Sequence, residues 1–156
     1  MTRASTRAAF AAVFAVALLS RADAPPDQYV SFNAANTFIT DAKTHLIWTR
    51  ATSAQKNDHA TGLQICTDNF TRLPTYRELL SLVDESPHTD WDPEAGVATY
   101  RYIDPNAFPG TPGDAFWTMS PNANKNGFMI VDFGTGEAHA AGPTDTAYSR
   151  CVQDPQ

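Results

Sequence analysis

Residues 72–84 read RLPTYRELLSLVD, and this stretch decides how the rest of the chain is parsed. Thr75 followed three residues later by Glu78 is a capping box, in which each side chain can bond the other residue's free backbone N–H at a helix start. Pro74 stands just before the cap and Leu79 four residues after it, the spacing of a hydrophobic staple. Leu79, Leu80, Leu82 and Val83 then give an apolar stripe, and Pro87 stops any long continuation. The pattern predicts a short helix over 75–84 with a sharply defined entrance. Arg72, Thr75 and Glu78 have a sufficient structural task there, as cap and as an Arg–Glu pair steadying the entry.

Upstream, Arg3 and Arg7 precede an uncharged apolar run over 8–19, and Ala22-Asp23-Ala24 follows with the small-x-small pattern of a secretory cleavage site. Twelve apolar residues are too few for the ~20 that a membrane-crossing helix needs. Residues 1–24 therefore read as a signal peptide, 25–35 as a polar leader and 36–153 as one domain, secreted or periplasmic. Removing Arg3, Arg7, Arg21 and Asp23 from 11 basic and 17 acidic side chains leaves 8 and 16, a formal charge of −8. Such a surface repels polyanions and argues against a nucleic-acid partner. Cys66 and Cys151 are an even pair in an oxidising compartment, so one disulfide is the default.

Short extended segments are expected at 29–32, 38–40 and 46–49, and a first helix over 54–68 with Ala60, Leu63 and Cys66 inward, although Gly62 weakens it. After the capped helix, 86–113 is proline-rich and lacks periodicity, which reads as a long loop region. Strands follow at 116–120, 127–133, 137–141 and 147–152. The 127–133 strand is apolar on both faces and should be central, with Gly134-Thr135-Gly136 turning into the next strand. Trp48 and Trp117 fall in strand patterns and are expected in the core. The class is α+β.

The segments LIWTR (46–50), RLPTYRELLSLVD (72–84), IDPNAFPGTP (103–112), FWTMSP (116–121), MIVDFGTGE (129–137) and YSRCV (148–152) stand in the order found in one bacterial family. The chain resembles the C-terminal domain family of the collagen-like adhesin Lcl over roughly residues 36–153. One departure is Phe70-Thr71, where the family usually has Asp-Trp directly before Arg-Leu-Pro-Thr. The resemblance implies a fold akin to C-type lectins, with two short helices on a small antiparallel sheet, and a disulfide from the first helix to the last strand. It also implies an adhesin-like role. The sulfated glycosaminoglycans attributed to the named adhesin need basic side chains, which a charge of −8 does not supply.

The segment DESPHTDWDPEAG (84–96) gathers five carboxylates, and Asp90-x-Asp92-x-Glu94 imitates the start of a calcium loop. Glycine falls seventh instead of sixth and Arg101 stands where the closing Glu belongs, so the stretch reads as a solvated acidic loop and not as a metal site. Trp91 beside those acids, with Tyr100 and Tyr102, forms a candidate sugar-stacking surface. The expected ligand-binding set is Asp90, Trp91, Asp92, Glu94, Tyr100 and Tyr102, joined by Asn122 and Lys125 from the 120–127 loop. No cofactor or metal is expected. His45, His59, His88 and His139 stand far apart, and no nucleophile-elbow, phosphate-loop or dinucleotide motif is present. A binding module is the favoured class, ahead of a hydrolase or modifying enzyme with a loop-built site and of a structural envelope component.

Overall fold

The structure, a computed structural model, describes residues 24–92, 96–142 and 144–155, without the side chains of residues 91 and 92. The expected signal peptide and Glu94 lie outside the described residues, as do the Trp91 and Asp92 side chains. The elements are β1 (Tyr29–Ser31), β2 (Phe38–Asp41), β3 (Ile47–Thr49), α1 (His59–Asp68), α2 (Tyr76–Leu80), β4 (His88–Asp92), β5 (Val97–Arg101), β6 (Ala115–Pro121), β7 (Phe128–Asp132), β8 (Glu137–Ala141) and β9 (Val152–Gln153). They form three small antiparallel sheets ordered β1-β2-β3-β9, β4-β5 and β6-β7-β8. The α+β class holds, with three sheets where one was expected.

In the β6-β7-β8 sheet, β7 is the central strand, and β6 and β7 send buried apolar side chains to both faces. Phe116 pairs with Val131 and Trp117 with Ile130, so alternate residues point to opposite sides. Phe116 and Val131 join Trp48, Leu79, Phe108 and Phe133 in one buried cluster. Trp117 and Ile130 join Cys66, Leu73, Ala147 and Cys151 in another. Burial of each large side chain contributes about 1.5–3 kcal/mol, and these two clusters supply most of the apolar stabilisation.

Helix α1 starts later than its pattern implies. Asp58 caps it, accepting from the Thr61 N–H at 2.8 Å, while upstream Ser53 bonds Ser149 and Asn57 bridges Ala147 instead of continuing the helix. The inward face is His59, Gly62 and Cys66; Cys66 is inward as expected, whereas Ala60 and Leu63 point to solvent and their neighbours His59 and Gly62 are buried instead. Gly62 is the point of closest approach, since a Cβ there would lie 2.5 Å from Ser149 Oγ and 3.2 Å from the Trp117 ring. Beside it the His59 ring stacks on Phe128 with centroids 3.3 Å apart, meets Trp117 edge-on, and its Nε2–H donates to the Thr118 carbonyl at 2.9 Å.

The helix ends in a Schellman motif: the Phe70 N–H bonds the Thr67 carbonyl and the Thr71 N–H bonds the Cys66 carbonyl, both at 3.0 Å. Phe70 therefore takes φ 55°, where glycine is the usual occupant and a side chain costs about 1–2 kcal/mol. Helix α2 has the capping box in full: Thr75 Oγ1 accepts from the Glu78 N–H and Glu78 Oε2 from the Thr75 N–H. Its regular part stops at Leu80, and tighter i→i+3 bonds carry the turn to Val83.

The Cys66–Cys151 disulfide is present, with Cα atoms 5.4 Å apart. The expected 147–152 strand is mostly isolated bridges, and only Val152 and Gln153 form regular ladder. Between them, Arg150 is fully buried. It donates to the Thr49 and Arg50 carbonyls at 2.6 and 2.7 Å and to Thr111 Oγ1 at 2.6 Å, with its guanidinium 4.6 Å from the centre of the Phe108 ring. Burial pulls its pKa down to about 9.

Candidate functional site

The proline-rich stretch 86–113, read from sequence as loop, contains the β4–β5 ribbon. Its five-residue ladder runs from His88 opposite Arg101 to Asp92 opposite Val97. Neither neighbouring sheet extends it, so the ribbon stands out from the body, with Val97 and Tyr100 each 51 % exposed. A lone two-stranded ribbon is marginal in water and needs anchoring. Its root supplies that: the Tyr102 N–H bonds the Phe133 carbonyl at 2.7 Å, the Asp84 N–H bonds the Tyr102 carbonyl at 3.1 Å, and Arg101 donates to the Thr111 carbonyl.

Two described acids at this ribbon, Asp84 and Asp90, are already engaged. Asp90 is ion-paired with Arg101 across the ladder, and buried Asp84 meets His88 Nε2 at 3.2 Å. Among the described residues, no group of three or more His, Cys, Asp or Glu is placed to hold a metal ion. Tyr102 is half-buried, its ring lying against Gly136, whereas Tyr100 faces solvent.

Asn122 and Lys125 are placed elsewhere. The β6–β7 ladder runs from Ala115 opposite Asp132 to Pro121 opposite Phe128. The ribbon's root meets the first end, through Phe133 and Gly113, and the 122–127 turn caps the other. The expected set is therefore split, with Asp90, Tyr100 and Tyr102 on one side and Asn122 and Lys125 across the length of the sheet. Asn122 is buried, and its side chain closes the turn through Asn126. Lys125, at φ 55°, is exposed at the tip.

The opening motif proves to be a structural hub. Arg72 grips Glu78 with two bonds of 2.8 and 2.9 Å and reaches Asp154 at 2.5 Å, while its backbone exchanges both hydrogen bonds with Val152. Burial pushes the Glu78 carboxyl up, but the Arg72 guanidinium and the Thr75 N–H outweigh it and hold the group below its usual value. A family model matches the chain to the Lcl C-terminal domain over residues 37–153. The chain belongs to the Lcl C-terminal domain family. Comparison with curated proteins and with solved structures returns no significant match.

Two features of this Lcl C-terminal domain escaped sequence reasoning. A cleft of about 320 Å³ opens where β1 and β2 meet the end of α2, lined by Tyr29, Asp41, Thr44, Ser81, Asp84 and Glu85, among others. Burial, then the Asp41, Asp84 and Asp104 carboxylates, push the Tyr29 phenol well above its ordinary pKa, so it stays a neutral hydroxyl. These residues are spread over almost 60 positions, and no local motif links them. The second is Phe70, 91 % exposed at the end of α1 and lining a groove of about 240 Å³ with Thr71, Arg72, Val152, Gln153 and Asp154. Its sequence signals were the departure at Phe70-Thr71 and a large aromatic where a helix ends and glycine or asparagine is usual.

Proposed function

We propose that this protein is an exported, adhesin-like module that holds a carbohydrate or protein ligand on its surface without chemical turnover. The observation that carries this reading is the family match, which covers 37–153 and so nearly all of the described chain. The covalent bridge supports it, since such bonds persist in oxidising compartments. Among the described residues, no helix is long and apolar enough to cross a membrane. The C-type-lectin-like reading draws support from the bridge between the first helix and the segment before β9.

The projecting β4–β5 ribbon is the contact element, with Tyr100 and Trp91 as aromatic contacts; recognition commonly sits on segments held out by a rigid scaffold. The mature, oxidised protein is applied to glycan and protein arrays and to whole bacterial surfaces. Saturable retention that leaves the ligand chemically unchanged and falls at least tenfold in Trp91→Ala and Tyr100→Ala is expected. Conversion of the ligand, or retention indifferent to both substitutions, refutes the proposal.

A further inference from the structure

Phe70 combines two unfavourable choices. Its backbone sits in the left-handed region, where a side chain is strained, and its ring is 91 % exposed, so burial returns almost nothing. Neither the helix nor the core needs a phenyl group there; the Schellman bonds use only backbone atoms. Such an outlier points toward function.

The groove beside it has the matching chemistry. Gln153 Nε2 donates to the Phe70 carbonyl at 3.1 Å, which fixes the carboxamide and leaves Oε1 as an acceptor. The Asp154 carboxylate is held by Arg72 through Nε at 3.3 Å and Nη2 at 2.5 Å. All five Arg72 N–H donors are committed to Asp154, Glu78 and the Leu73 carbonyl. Arg72 is thus a positioning residue, and the groove presents acceptors beside one flat apolar face.

We propose that Phe70, Gln153 and Asp154 form a subsite for a single ring of a neutral sugar, whose C–H face lies on Phe70 while neighbouring hydroxyls donate to Gln153 Oε1 and Asp154. The volume, below the ~300–1,000 Å³ of drug-sized sites, suits one ring. The carboxylate repels an anion. The Arg72–Glu78–Asp154 triad keeps one net negative charge, shared with Arg72, and a cation would meet only a single ring and not an aromatic cage. The subsite rests on the reading of the protein as a binding module, and is separate in the chain from the β4–β5 ribbon.

The test uses the oxidised mature chain with immobilised neutral oligosaccharides of glucose, galactose and N-acetylglucosamine, and tetramethylammonium as a cationic competitor. Wild type is expected to bind at least one of these sugars without displacement by tetramethylammonium. Phe70→Gly is expected to lose at least tenfold in affinity while its Tm rises by about 2–6 °C, because the strain is relieved. Phe70→Trp retains binding and Asp154→Asn weakens it several-fold. Unchanged sugar affinity or a lowered Tm in Phe70→Gly overturns the subsite, as does displacement by tetramethylammonium. Absence of any neutral-sugar binding by wild type overturns it too. If ligand retention on arrays persists in that case and is lost in Trp91→Ala, the binding-module reading stands and only the subsite fails.

Discussion

Breaking the Cys66–Cys151 bond removes a link that spans 85 residues. In the chain-entropy treatment, a loop of that size is worth about 4.5 kcal/mol at 25 °C, a large part of a typical 5–15 kcal/mol of total stability. Both sulfurs are buried in the cluster with Trp117, Leu73 and Ala147, so the two ways of breaking the bond differ. Reduction leaves two thiols in nearly the same space and reports the link alone. The double substitution Cys66→Ala/Cys151→Ala also deletes buried atoms and should cost about 1–2 kcal/mol more. The assay is urea unfolding followed by tryptophan fluorescence, since Trp48 and Trp117 are both fully buried. With a slope of about 1.5–2 kcal/mol per molar, the midpoint should fall by about 2–3 M on reduction. A fall below about 0.5 M with an unchanged slope would refute the view that this bridge between α1 and the segment before β9 is a main support of the fold.

Three further outcomes are expected. Thr75→Ala removes one half of the capping box and should cost about 1 kcal/mol in the same assay, with the fold retained by circular dichroism. Gly62→Ala, which raises helix propensity by about 1 kcal/mol, should nevertheless lower Tm, because the added methyl meets Ser149 and Trp117; a higher Tm would contradict the packing described. Burial lowers the His59 pKa, so the unfolded chain binds the proton more readily. Stability should therefore be full above the ordinary histidine value near 6.5 and decline as pH falls from 7 to 5, and His59→Phe should flatten that slope in pH-dependent melting.

What could be read from the sequence was whatever had a local cause. The capping box announces itself because its two partners are three residues apart, and the 137–141 strand because a tight turn and a ladder fix both ends. The β4–β5 ribbon was missed because it has solvent on both sides, so the apolar alternation that marks a half-buried strand never develops. Gly62 looked like a flaw in a helix and is the place where that helix touches the sheet. On α1 the expectation for Cys66 held, but Ala60 and Leu63 were placed inward where His59 and Gly62 are, because hydropathy counts neither a histidine nor a glycine as core. For the candidate site, Tyr100 could be found as an aromatic in a polar stretch. The distance between Tyr100 and Asn122 follows from the length of the β6–β7 ladder, and the grouping of Phe70 with Gln153 and Asp154 depends on contacts between residues 83 and 82 positions apart.

The placement of Arg150 bears on when this chain can fold. Thr49, Arg50 and Thr111, which receive its guanidinium, all precede it, as do Cys66 and the β3 edge that β9 completes. Until residues 147–153 arrive, the socket is empty, the first sheet lacks its fourth strand and the thiol has nothing to join. A nascent polypeptide that stops short of residue 147 is therefore held open, and maturation into a compact body is deferred to a single late event.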